Sequence, residues 1–288
     1  MHIAFLAAAL PALSPVPYSP KTVLGISGTQ FTLNGEPQFL LGCSYYGAVT
    51  APDAWIRQDL RQLRRWGFNW VRVWATWIAY DLDVSVVDSR GRLRQPYFLR
   101  LCRLIEYADS LGMVVDLTLS RGRPLGSFQA HLKAVQELAS ALRPYRNVYF
   151  DLGNERNVRD ARYVSFQELA RLRDAVKKID PERLVTASHA GDIPEAELAR
   201  YVNVARVDFI APHRPRNKSS VAETEAKTRW YLDKLHQLGR PMPVHYQEPF
   251  RRNFNPWTFQ PNLSDFLADA LAALRGGAAG WCFHIGDN

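Results

Sequence analysis

Cysteine is scarce in this 288-residue chain: there are three, Cys43, Cys102 and Cys282. The number is odd and no two form a C-x-x-C pair, so neither a disulfide framework nor a zinc knuckle is encoded. Free thiols are expected, even though Cys43 and Cys282 fall on segments that could neighbour each other. No run of lysine and arginine reaches the length of a nucleic-acid tail, although the formal charge is +8. The excess is arginine spread along amphipathic segments, among them Arg57, Arg61, Arg64, Arg65, Arg171 and Arg173. That pattern reads as a solvated basic surface and leaves attraction to an acidic polysaccharide open. No Gly-rich phosphate loop stands out. No apolar run is long enough to span a bilayer, so membrane insertion is not expected.

The apolar stretch 3–13 is followed by a proline-rich stretch, 14–20. Residues 1–20 therefore read as a signal-like or disordered segment, which predicts a secreted or periplasmic protein. Residues 21–288 read as one domain. With 47% apolar and 22% charged residues the balance is that of a globular protein. Eight Trp, twelve Tyr and fourteen Phe are a generous aromatic supply, either as core filling or as flat surfaces for sugar rings.

From residue 21 onward, short β-branched or aromatic runs alternate with longer amphipathic ones, the pattern of a parallel sheet covered by helices. A hairpin is predicted over 25–37, with its turn at Asn34-Gly35, placed to plug the bottom of a barrel. Strands are predicted at 39–45, 68–74, 113–119, 148–153, 184–188, 207–212, 244–247 and 279–283. Helices are predicted at 53–66, 96–111, 128–142, 163–179, 193–201, 221–238 and 263–274. Eight strands and seven intervening helices make an α/β fold, a (β/α)₈ TIM barrel, which needs roughly 250 residues. The customary eighth helix is missing after the last strand. Either the sequence stops short of it, or the hairpin and N-terminal segment cover that side. The connection 76–95 is long for a barrel loop, and such loops are usually functional.

Active sites of such barrels lie at the C-terminal ends of the strands. The fourth strand runs into Gly153-Asn154-Glu155 and the seventh into Gln247-Glu248-Pro249. Two glutamates from opposite sides of one mouth suit cleavage of a glycoside. One carboxyl group protonates the leaving oxygen while the other, ionised, attacks the anomeric carbon.

These residues, with the entry segment Phe31-Thr32-Leu33-Asn34-Gly35-Glu36-Pro37 and Gly67-Phe68-Asn69-Trp70-Val71-Arg72, resemble glycoside hydrolase clan A, and most of all its cellulase family, family 5. The resemblance runs from about Gly25 to the end. It implies a (β/α)₈ barrel and a retaining glycosidase acting on β-linked oligo- or polysaccharides without a cofactor. It further implies Glu155 as acid/base, with a pKa raised by the neighbouring Glu248 carboxylate, and Glu248 as nucleophile. Asn154 would bind the sugar 2-hydroxyl, and Arg72 would keep Glu248 ionised. His213 and Trp281 match the family's substrate-site histidine and sugar platform.

The sequence departs from the pattern twice. Pro215 stands where a tyrosine often orients the nucleophile, which leaves Tyr246 as a candidate substitute, and the third strand end, Thr118-Leu119-Ser120-Arg121, lacks a histidine. Tyr45, Tyr46, Trp74, Trp77 and Trp257 are further candidate sugar platforms, Tyr45 foremost. The spacings of His245 with Glu248 and of His284 with Asp287 do not suit a metal site on a strand. A transglycosylase using the same residues, a non-catalytic carbohydrate-binding barrel and a metal-dependent hydrolase remain as rival readings.

Overall fold

The computed structural model describes residues 18–79, 81–249, 252 and 258–284. The predicted leader (apart from residues 18–20), Trp257 and Asp287 lie outside them.

The predicted hairpin is a three-stranded antiparallel sheet of β1 (Leu24–Ser27), β2 (Gln30–Leu33) and β3 (Glu36–Gln38). Asn34 and Gly35 both have positive φ, 53° and 88°, the two-residue turn whose twist matches paired strands. Phe31 points from β2 into the barrel bottom and is fully buried among the rings of Tyr149, Phe209 and His245. Burial of such a ring stabilises by roughly 1.5–3 kcal/mol, so the sheet acts as the plug its sequence predicts.

The barrel follows in βα order: β4 (Leu40–Ser44), α1 (Asp53–Arg65) and β5 (Trp70–Trp74). The long connection carries a small antiparallel pair, β6 (Ile78–Ala79) and β7 (Leu82–Asp83). Then come α2 (Tyr97–Ser110), β8 (Val114–Thr118), α3 (Phe128–Ala141), β9 (Val148–Asp151), α4 (Phe166–Ile179) and β10 (Val185–Thr186). The chain closes with α5 (Glu195–Arg200), α6 (Ser220–Gln237), β11 (His245–Tyr246), α7 (Leu263–Gly276) and β12 (Gly280–Phe283). Seven strands pair in parallel in the order β10-β9-β8-β5-β4-β12-β11.

The expected sixth strand is not a regular strand. Residues 207–213 occupy its place through isolated bridges, His189 with Pro212 and Ile210 with Val244. Asp208 N donates to Val185 O at 2.9 Å, and His245 N to Ile210 O at 2.9 Å, so the ring closes between β10 and β11. Pro212 and Pro243 lack the N–H that a full ladder would use.

Two core layers result. Inside the barrel, Leu40, Trp70, Val114, Tyr149 and Phe209 pack with Phe31. Gly42 and Gly280 leave room there: a Cβ on Gly42 would stand 2.1 Å from Trp70 O, and one on Gly280 2.3 Å from His245 Nδ1. Outside it, the outward strand residues meet the helices. Helices α4 and α7 each begin with a reciprocal capping box, Ser165 with Glu168 and Asn262 with Asp265. Among the described residues no helix follows β12, and Leu263, Leu267, Leu271 and Leu274 form an exposed stripe along α7. No helix of the described residues is long and apolar enough to cross a membrane. The cysteines are free thiols, Cys282 buried and the other two half-buried.

Candidate active site

Period-two alternation decides what each strand sends to the barrel mouth. On β5, Trp70 and Arg72 point into the lumen while Val71 and Val73 face the helices. Arg72 is completely buried. Its Nε donates to Thr118 Oγ1 at 2.9 Å and lies 3.2 Å from Asp116 Oδ2. Its Nη2 donates to Asp151 Oδ2 at 3.0 Å and Asn154 Oδ1 at 2.9 Å, and its Nη1 donates to Glu248 Oε1. One buried cation thus organises three carboxylates, and they hold its own pKa well above the ordinary value against the effect of burial. Burial pushes Asp116 up to about 7, against the pull of Arg72.

Glu155 follows β9 in a left-handed backbone conformation, φ 47°. A non-glycine residue held there stores strain of a kind that clusters at functional sites. Its N–H donates to Ser188 Oγ at 2.9 Å, and Asp151 Oδ1 accepts from the backbone N–H groups of Gly153 and Ser188, both at 3.1 Å. These bonds fix the turn that presents the carboxylate. The strand β11 ends at Tyr246, so alternation does not carry on to Glu248, whose carboxylate turns into the mouth.

The two glutamates meet. Glu155, His213 and Glu248 are buried, and one ligand atom from each lies within 4.8 Å of the others. His213 Nδ1 is 3.2 Å from Glu155 Oε1 and 3.6 Å from Glu248 Oε2. A single nitrogen, Arg216 Nη2, donates to Glu155 Oε1 at 2.9 Å and to Glu248 Oε2 at 2.8 Å. Arg162 Nη1 donates to Glu155 Oε2 at 3.0 Å. His284 Nε2 lies 3.4 Å from Glu248 Oε2, and its ring is positioned by Ser44 Oγ at 2.6 Å and Tyr46 OH at 3.1 Å.

This electrostatic setting corrects one expectation. Glu155 does not have a raised pKa: burial and the Glu248 charge push it up, but His213 and Arg216 outweigh them and hold it at about 2. Glu248 is likewise held well below the usual carboxylate range, as His284, His213, Arg72 and Arg216 overcome its burial. Both carboxylates are ionised in this arrangement. Three carboxylate and imidazole ligand atoms this close could hold a metal ion, but the Arg216 guanidinium already supplies a cation to both carboxylates.

Of the residues named from sequence, Glu155, Glu248, Arg72, Asn154 and His213 come together. Three do not. Tyr246 points outward, fully buried, with its hydroxyl 2.7 Å from Thr228 Oγ1 on α6. Trp281 also points outward: its Nε1 donates to Asp269 Oδ2 at 2.8 Å on α7 and its ring meets Phe266 edge-on. Tyr45 donates to Asp59 on α1. Alternation instead sends inward the residue after Tyr45, Tyr46, and on β12 Cys282 and then His284. Arg162 and Arg216 were missed altogether, because both stand in irregular connections where no periodicity points them anywhere.

Beside the glutamates an open groove of about 430 Å³ leads along the mouth. Trp74, Trp77 and Ile78 line it together with Arg121, Arg123, Arg162 and Asn154. The Tyr46 ring stacks on Trp74 at 4.5 Å and lies 4.8 Å from Trp77. The long connection helps to build this wall: its Val84, Ser85, Val86 and Val87 are buried, and Ser85 Oγ receives the Trp77 N–H at 3.0 Å.

No family model and no curated protein matches the chain. Solved structures do. A glycoside hydrolase family 5 protein from Bacteroides vulgatus superposes with a TM-score of 0.68 at 16% identity, over 93% of this chain and 63% of that one. The endo-1,4-β-mannanase from Rhizomucor miehei gives 0.65 at 15% identity, over 91% and 90%. The β-mannanase from the blue mussel Mytilus edulis gives 0.61 at 16%, over 92% of both chains. The chain shares the (β/α)₈-barrel fold of these hydrolases. It spans less than two thirds of the Bacteroides vulgatus chain, and at these identities the likeness is one of fold.

Proposed function

We propose that this barrel is a retaining glycoside hydrolase acting on β-linked oligo- or polysaccharides. The observation that carries the reading is the approach of Glu155 and Glu248 oxygens to within 4.8 Å at the C-terminal mouth. Retaining enzymes hold their carboxyl groups about 5–5.5 Å apart, whereas inverting ones leave a wider gap for water. Glu155 would protonate the glycosidic oxygen while Glu248 attacks the anomeric carbon and forms a glycosyl-enzyme ester. Water, deprotonated by Glu155, would then release the sugar with its original configuration. Arg72 and His284 keep Glu248 ionised for attack, and Asn154, anchored to Arg72, lines the groove. Trp77 offers a sugar platform. Glu155 has to gain a proton before the first step, so the contacts that hold it ionised must loosen when substrate enters.

The solved relatives named as mannanases and family 5 hydrolases support this reading through their shared fold. Proton NMR of the first-formed product tests it: retained anomeric configuration is expected, and inverted product would remove the retaining mechanism. Product analysis at high acceptor concentration separates hydrolysis from transglycosylation, which uses the same residues. The ligand-like spacing of Glu155, His213 and Glu248 favours one second reading, a metal-assisted hydrolase, which predicts that a chelator abolishes activity. The apolar stretch 3–13 supports export, which cell fractionation of the full chain would check.

A further inference from the structure

Arg216 Nη2 occupies a particular place. It lies 2.9 Å from Glu155 Oε1 and 2.8 Å from Glu248 Oε2. On the hydrolase reading, on which this inference rests, those two oxygens face the glycosidic oxygen and the anomeric carbon. A nitrogen bridging both stands where the scissile bond must stand, and a sugar and a guanidinium cannot share that space. Arg72 also bonds Glu248, but it is fixed in β5 and approaches by the other carboxylate oxygen, Oε1. Arg216 comes from the irregular connection after the sixth strand position, on a partly exposed side chain, so it is the group able to withdraw.

Withdrawal breaks at least these two charge-assisted hydrogen bonds, besides the 3.5 Å contact of the same nitrogen with His213 Nδ1. A neutral sugar has nothing of equal strength to return to the guanidinium. A carboxylate does, in the two-pronged geometry that suits arginine. The groove next to the glutamates is lined by Arg121, Arg123 and Arg162. Arg121 is paired with Glu168 and Arg162 with Asp160 and Glu155, so Arg123 is the one of the three with no ion pair among the described residues. Its aromatic side is the half-buried Trp77, since Trp74 behind it is buried and covered by the Tyr46 ring and the Arg72 guanidinium. A uronate ring presents both complements, a C–H face for the Trp77 indole and a carboxylate on its edge.

We propose that the substrate is an acidic, uronate-bearing β-linked glycan, and that Arg216 leaves the two glutamates to bind the carboxylate of the sugar at the cleavage point. The exchange also serves the chemistry. Moving Arg216 removes one of the charges that keep Glu155 ionised, and so favours the protonated acid that the first step needs.

Calorimetric binding of β-1,4-linked glucose and mannose oligosaccharides, compared with their C6-carboxylate counterparts, tests this in the intact protein and in Arg216→Ala. The carboxylated ligands are expected to bind the unaltered protein at least about tenfold more tightly, as one charge-assisted contact implies. Raising salt should erode that preference. In Arg216→Ala the ratio of carboxylated to neutral affinity should fall toward one, whatever the change in the neutral affinity itself, and a ratio kept at its original value overturns the proposal. Equal binding of neutral and carboxylated ligands to the unaltered protein overturns the proposal, as does an Arg216→Ala protein that loses both alike. Reducing-sugar release from the same oligosaccharides separates the two readings. Cleavage of neutral chains with no carboxylate preference overturns acidic recognition and keeps the hydrolase. Carboxylate-dependent, Arg216-dependent binding without cleavage supports acidic recognition and overturns the hydrolase.

Discussion

Arg72 and Glu248 meet across the barrel mouth from strands that lie three places apart in the sheet, and the guanidinium that reaches Glu248 Oε1 also bonds Asp151 and Asn154. The nucleophile candidate and the turn that carries Glu155 are therefore held by one buried cation. Glu248→Gln keeps the shape and a hydrogen-bonding oxygen for Arg72. Its turnover is expected to fall at least roughly a thousandfold with little change in melting temperature. Arg72→Met should behave differently: it leaves Asp116, Asp151 and Glu248 buried without their cation, at a cost of about 3–5 kcal/mol. Denaturant unfolding measures that loss, and an unchanged midpoint would refute the organising role of Arg72.

The depressed pKa of Glu155 makes a stability prediction with a definite sign. A carboxylate whose folded pKa lies below its ordinary 4.5 stabilises the fold above that value, and the contribution disappears as pH falls toward about 2. The difference in unfolding free energy between the parent and Glu155→Gln should be constant above 4.5 and shrink below it. Turnover of Glu155→Gln should drop by roughly 10²–10⁴-fold. A stability difference that grows on acidification would show that Glu155 is not held ionised.

Three histidines predict acid lability. His131, His189 and His245 are buried, and burial, aided by nearby cations, lowers each from 6.5 to about 3. The unfolded chain binds protons at these groups below 6.5 while the folded chain does not, so stability falls as pH drops from 6.5 toward 3. Each histidine contributes roughly 1 kcal/mol per pH unit in that window. Urea midpoints measured across it should decline steadily, and His131→Gln should flatten the slope.

Two tryptophans should separate binding from folding. Trp77→Ala removes a groove wall and is expected to raise KM roughly tenfold or more, through the apolar area a bound sugar ring no longer covers. Trp281→Phe removes the donor to buried Asp269 and should cost about 1–3 kcal/mol of stability while leaving KM in place. If instead Trp281→Phe raises KM and Trp77→Ala does not, the outward placement of Trp281 is wrong.

Local pattern determined much of this protein. The resemblance to clan A supplied Arg72, Asn154 and His213, whereas the alternation of short β-rich runs with amphipathic ones predicted the barrel, the Asn34-Gly35 turn predicted the hairpin that became the plug, and the strand ends predicted Glu155 and Glu248. These are properties of side-chain period and position along one segment. A period-two count would also have favoured Tyr46 and His284 over Tyr45 and Trp281, because Gly42 and Ser44, like Gly280 and Cys282, set the inward parity of their strands. The tertiary structure alone decided the rest. Residues 207–213 close the ring without a regular ladder because prolines withhold donors, which no hydropathy pattern shows. Arg162 and Arg216 reach the glutamates from irregular connections seven residues after Glu155 and 61 residues after it. The ionised state of Glu155 follows from how those charges converge in space, and convergence is a distance between segments that the order of residues does not contain.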